Sequence, residues 1–191
     1  TARLLLGFVV ALGLAFPFGI LIARSSVLHR LFEVPVDFLR SLPVTALIPA
    51  FIVIFGIGEV NKVAMVSFVV ILILTVQIRD GINAVAKEPV EIAKLYGFKG
   101  LALFGIVLRL ALPAILSGVR VSINIALIVV VVVEMFVGGG TQVGLGQAIY
   151  DAQSVLAMRE MWAFVIIVGV YGYILSGLVN WMANRLAPWA K

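Results

Sequence analysis

Residues 4–23 contain no charged side chain, and a run of about 20 apolar residues is what a helix needs to cross the roughly 30 Å hydrocarbon core of a bilayer. Further apolar runs cover residues 44–58, 62–77, 115–137 and 161–182. Of 191 residues, 63% are hydrophobic and 12% charged, with a mean hydropathy of +1.23. Soluble domains run to about 45–50% apolar and about 25% charged. No single core of this size hides so much apolar surface, so the surplus faces lipid or other subunits. In lipid, only helices and closed barrels satisfy their own backbone, and runs of this length select helices. The expectation is an all-α, polytopic transmembrane bundle with about five spans, forming one domain over residues 1–191.

Within the first run, Gly7, Ala11, Ala15 and Gly19 recur every fourth residue, giving one face of small side chains that another helix can approach closely. Pro17 is expected to bend this helix. The second run is short and contains Pro49, and the segment from Gly56 to Asn61 reads as a turn before the third. Trp162, Trp181 and Trp189 stand where interfacial belts are found.

Charge gives an orientation. With the first span running inward, Arg24, Arg30, Arg40, Arg79, Lys87, Lys94, Lys99, Arg109, Arg120, Arg185 and Lys191 fall inside, and Arg3, Lys62 and Arg159 outside. The positive-inside rule then places the C-terminus in the cytoplasm. An outside start at Thr1 leads to the expectation of a further span before it. The net charge of +5 reads as topology, not as nucleic-acid binding, because no basic run exceeds two adjacent residues. Cysteine is absent and His29 is the single histidine, in a polar connection beside Arg30, so a zinc site or a Ser-His-Asp triad is poorly supplied.

Residues 79–113 are too polar to span and too long for a tight connection. Within them, Lys87-Glu88-Pro89-Val90-Glu91-Ile92-Ala93-Lys94-Leu95-Tyr96-Gly97 predicts a helix of about two turns, with Pro89 and the two glutamates at its start and Gly97 just past its end. Its face of Val90, Ala93, Tyr96 and Ile92 needs a cover, for which a partner protein is one candidate. Glu91-Ile92-Ala93, three residues and Gly97 resemble the E-A-A-x-x-x-G signature in the cytoplasmic loop of ABC importer permeases. Ile92 replaces one position of that signature. Arg109, in Ile106-Val107-Leu108-Arg109, stands where the family's I-x-L-P run has its proline, and Leu112-Pro113 is read as the start of the next helix. Leu39-Arg40-Ser41-Leu42-Pro43, Ile48-Pro49, Phe55-Gly56-Ile57-Gly58-Glu59, Glu134-Met135-Phe136 and Gly144-Leu145-Gly146 resemble the nitrate, sulfonate, taurine and bicarbonate branch.

That resemblance implies a translocation subunit in the bacterial inner membrane, paired with a second permease copy as a homodimer. Its further partners are two cytoplasmic ATPase subunits and an extracytoplasmic solute-binding protein. ATP and Mg would reside on the ATPase, with no cofactor bound by this chain. Glu91, Ala93, Tyr96 and Gly97 become the ATPase-coupling residues, while the alternative for Glu91 and Gly97 is that they cap a surface helix. No G-x-x-x-x-G-K-[ST] occurs, so no P-loop is present. Gly138-Gly139-Gly140 follows an apolar helix, not a strand, and reads as an outer hinge. Ser117, Ser122, Asn124 and Glu134 are the candidates for lining the pathway, with helix–helix hydrogen bonding as the competing reading for the polar ones. Glu134 is set near the outer end of its span, where pairing with a polar group or reaching water are its alternatives. Arg120 is expected to snorkel inward. The competing function is a secondary transporter or channel, whose paired broken helices and midplane ionisable groups are not evident. A membrane-embedded enzyme would need a clustered catalytic set, and Asp80, Glu88 and Glu91 lack histidine partners.

Overall fold

The computed structural model describes residues 2–137 and 144–190, and the main chain alone at Ala190. In order, the helices are α1 (Ala2–Arg24), α2 (Ser26–Ser41), α3 (Val44–Phe55), α4 (Glu59–Asn83), α5 (Lys87–Leu95), α6 (Gly100–Phe136), α7 (Leu145–Ser154) and α8 (Met158–Leu186), with a short 3₁₀ turn at Pro188–Ala190. Helices α1, α4, α6 and α8 are each long and apolar enough to cross a membrane. The bent pair α2 and α3, meeting at 101°, makes a fifth crossing if counted as one.

The small residues of α1 set the first packing. Gly7, Ala11, Ala15 and Gly19 are all buried. A Cβ on Gly7 would stand 2.8 Å from Val66 Cγ1, and one on Gly19 would stand 2.9 Å from Ile78 Cβ. The Ser67 hydroxyl donates to the Gly7 carbonyl at 3.1 Å. Because residue 7 meets 66 and residue 19 meets 78, α1 and α4 run parallel. The chain between them therefore has to return, and α2 and α3 carry it back.

Helix α4 meets α6 in the opposite sense, since Gly81 lies against Ala114 and Ile115, and Gly118 against Gln77. Helix α8 is antiparallel to α6: a Cβ on Gly172 would come within 2.8 Å of Leu127 Cδ2, and the Ser176 hydroxyl donates to Asn124 Oδ1 at 2.6 Å. One end of the bundle thus holds the start of α1, the start of α4, the end of α6 and all of α7. The other holds Arg24, Arg79, α5, Lys99, Arg109 and Arg185. Trp162 and Trp181 are exposed near opposite ends of α8, and Trp189 is exposed just beyond it; the Arg185 guanidinium lies 5.0 Å from the Trp181 ring.

The structure corrects four local expectations. The 44–58 run is not a full span: α3 has 12 residues, about 18 Å of helix, and stops at Gly56. The segment around His29, read as a polar connection, is α2, with the Ser25 hydroxyl accepting from the Leu28 N–H at its start. Residues 79–83 belong to α4, and α6 begins at Gly100 and runs unbroken through Pro113 for 37 residues. Packing of Ala114 and Ile115 against Gly81, with Ala111 and Ile115 buried, holds the helix across the proline, so the interruption shrinks to residues 84–99. Helix α7 was not anticipated. Its 10 residues are too few to span.

Candidate functional site

Helix α5 lies beyond the end of α4, against the first turns of α6. Its end is closed by a paired-bond cap: the Phe98 N–H donates to the Ala93 carbonyl at 3.1 Å, and the Gly97 N–H to the Lys94 carbonyl at 3.0 Å. This geometry requires a left-handed residue after the helix, and Gly97 supplies it with φ +86°. The predicted apolar face divides. Ala93 is buried at 7% exposure on the side that meets α6, and Val90 is half-buried. Ile92, Leu95 (87% exposed) and Tyr96 (81%) stand free, followed by Phe98 and Leu101. Glu91 is exposed beside them. Ala93 therefore permits close approach of α5 to α6, while the outward surface is built from Ile92, Leu95 and Tyr96. Leu95 falls outside the predicted face of 90, 93 and 96, but with Ile92 and Tyr96 it lies at i, i+3 and i+4 on one side of the helix.

The polar candidates of α6 occupy three different settings. Ser117 and Asn124 share one exposed stripe with Val121 and Ile128, spaced three or four residues apart. Ser122 faces the other way, fully buried, donating to the Gly118 carbonyl at 2.8 Å. Glu134 is buried at the opposite end of the bundle from α5. There Arg3 Nη1 donates to Glu134 Oε1 at 2.5 Å, Arg3 Nη2 donates to Glu59 Oε1 at 2.6 Å, and Arg3 Nε also pairs with Glu59. Lys62 Nζ lies 3.8 Å from Glu59 Oε1. The Gly146 N–H donates to Glu134 Oε2 at 3.1 Å. Any Cβ on Gly144 would overlap the Glu134 carboxylate, 2.1 Å from its Cδ, and one on Gly146 would lie 2.1 Å from the Val131 carbonyl oxygen. The absence of side chains there lets α7 sit directly on the end of α6. Glu134 thus ties α1, α4, α6 and α7 together, a network of four elements that sequence spacing alone does not reveal. Its visible signal was only that Arg3, Glu59 and Lys62 sit at the starts of apolar runs. The proposed hinge at Gly138-Gly139-Gly140 lies outside the described residues.

Comparison with known proteins follows the same outline. Residues 15–191 match the family described as binding-protein-dependent transport system inner membrane component. The chain is 30% identical over 188 residues to the putative aliphatic sulfonates transport permease protein SsuC of Bacillus subtilis (strain 168), covering 98% of this chain and 67% of that one. It is 31% identical to the putative ABC transporter permease protein MJ0413 of Methanocaldococcus jannaschii, over 99% of this chain and 70% of the relative. Identity to the taurine transport system permease protein TauC of Escherichia coli (strain K12) is 24%, over 98% and 67%. Among solved structures, the methionine ABC transporter MetNI in an inward-facing form superposes with a TM-score of 0.81 at 16% identity, over 97% of this chain and 91% of the other. An all-helical bundle that reproduces this permease fold, with sequence agreement along nearly its whole length, fixes the assignment: the chain belongs to the binding-protein-dependent transport system inner membrane components, and is the multi-pass permease subunit of an ABC importer.

Proposed function

We propose that this permease carries a small anion of the sulfonate, taurine, nitrate or bicarbonate type into the cytoplasm, driven by ATP hydrolysed with Mg on two separate ATPase subunits. A second copy of the permease completes the pathway, and an extracytoplasmic binding protein delivers the solute. The C-terminus and α5 lie on the cytoplasmic side. Support for this orientation comes from Arg24, Arg79, Lys87, Lys94, Lys99, Arg109 and Arg185 gathering at one end, against Arg3, Lys62 and Arg159 at the other.

The observation that carries the reading is the outward surface of α5. Ile92, Leu95 and Tyr96 project from a short helix whose far end is locked by Gly97 and whose near side is anchored through Ala93. A contiguous apolar projection beyond the membrane marks a docking surface. An ATPase groove receiving it, with Glu91 at its edge, would convert closure of the nucleotide-binding subunits into movement of the attached α4 and α6. The exposed stripe of Ser117, Val121 and Ile128 is the proposed pathway-lining face; Asn124 on the same stripe accepts from Ser176 of α8, and Glu134 and Ser122 act in packing at their described positions.

The test is uptake of labelled taurine, methanesulfonate, nitrate and bicarbonate into proteoliposomes holding the permease, its ATPase and its binding protein. ATP-dependent accumulation of one of these is expected. Uptake that proceeds on an ion gradient without ATP would establish the secondary-transporter alternative instead.

A further inference from the structure

A cavity of about 190 Å³ opens between α6 and α8 toward the end that carries α5, lined by Pro113, Ser117, Arg120, Asn184 and neighbouring apolar side chains. Ser117 and Arg120 are one helical turn apart and share a face. Asn184 faces them from the last turn of α8. Arg120 Nε is buried and has no hydrogen-bond partner among the described residues, and none of the described residues that line the cavity carries a carboxylate. A guanidinium has five donors and no acceptor, and leaving a buried donor unmatched beside an apolar medium is costly. An anionic oxygen group entering the cavity resolves both deficits. The guanidinium fork suits a planar or tetrahedral oxyanion, and the Ser117 hydroxyl and Asn184 carboxamide add neutral donors.

We infer that this cavity is an oxyanion-binding site, with Arg120 as its cation and Ser117 and Asn184 as its neutral donors. Its occupant carries a sulfonate, nitrate or phosphate group. The transported solute on its way out and an inner-leaflet lipid phosphate offer this same chemistry. Where the occupant is the solute, the inference rests on the function proposed above.

Binding to the purified permease–ATPase complex, stripped of lipid, distinguishes the sources. Methanesulfonate and dioleoylphosphatidylglycerol are titrated separately while thermal stabilisation is followed. Saturable stabilisation by methanesulfonate identifies the solute, and by the lipid identifies the headgroup. In either case R120Q weakens the response at least about tenfold, R120K retains part of it, and S117A and N184A each lower it about threefold. Should R120Q fail to assemble, S117A and N184A decide alone. Saturation by neither probe in the wild type, or titrations unchanged in all the variants that assemble, overturns the site and leaves Arg120 reaching for cytoplasmic water. ATP-driven uptake is measured on the same preparations: its absence in the wild type would remove the importer reading while leaving a lipid-binding result intact.

Discussion

Arg3 and Glu134, 131 positions apart in the chain, meet at 2.5 Å between Nη1 and Oε1, so the beginning of α1 and the end of α6 are fastened by a buried ion pair. Glu134 also accepts from the Gly146 N–H, and the pair therefore fixes where α7 rests.

Replacing Glu134 with Gln removes the charge that Arg3 faces on α6 but leaves Glu59 in place. The expected loss is about 2 kcal/mol, in the range for hydrogen bonds to charged groups, or roughly 4–8 °C in a thermal melt for a chain of this size. A melt of the detergent-purified complex measures it, and an unchanged midpoint would show that the Arg3–Glu134 pair adds nothing.

Substituting Val for Gly97 forces a β-branched residue into φ +86°, at a cost of about 1–2 kcal/mol. The protein should insert normally. The ATPase should continue to turn over while uptake falls about tenfold, as that strain corresponds to roughly a tenfold shift. Equal ratios of uptake to hydrolysis in wild type and variant would disprove a coupling role for this cap.

Charge placed on the outward surface of α5 should separate the subunits. Leu95→Asp or Tyr96→Asp is expected to weaken association with the ATPase by about 2 kcal/mol or more, the scale of an interface hot spot. Co-purification at decreasing ATPase concentration reads this directly; retention at wild-type levels would place the docking surface elsewhere.

Two glycines of α1 should behave oppositely. Gly7→Leu must displace Val66, whose Cγ1 would be 2.8 Å from the new Cβ, whereas nothing lies within 4 Å of one at Gly13. Overpacking at position 7 is expected to cost about 1–3 kcal/mol, and Gly13→Ala to be neutral or stabilising by about 0.5–1 kcal/mol through helix propensity. Comparison of detergent melts checks the contrast.

The stripe from Gly7 to Gly19 was legible because steps of four fall on one helix face, and burial of all four residues followed. Gly97 was legible for a similarly local reason: a helix stop needs a left-handed residue. What local pattern could not decide was where α6 begins. Arg109 and Pro113 look like a boundary in isolation, and only the packing of Ala114 and Ile115 against Gly81 overrides them. Helix α2 was legible in principle, since Arg30, Glu33, Asp37 and Arg40 recur at steps of three and four and mark one polar face of an amphipathic helix; it lacks only the unbroken apolar run that marks a span. The Arg3–Glu59–Glu134 network was out of reach because it depends on α1 and α4 being parallel, a property of the assembled bundle. Of the polar residues on α6, polarity alone groups Ser117 and Asn124, which share a face seven residues apart, with Ser122, which is buried on another.

The parallel course of α1 and α4 has a consequence for the shape of the bundle. The return between them is made by α3, whose 12 residues cover about 18 Å of a roughly 30 Å hydrocarbon core, and by α2 set at 101° to it. One wall is consequently only a little over half height. Where it stops, at the elbow of Leu42 and Val44, a recess of about 300 Å³ reaches past Arg40 to Phe68 and Gln77 of α4 and Val121 of α6. This recess is bounded by α2 and α3 on one side and by α4 and α6 on the other, apart from the Gly7 and Gly19 contacts that hold α1 to α4, so a tilt of α2 would reshape it while leaving that glycine seam in place.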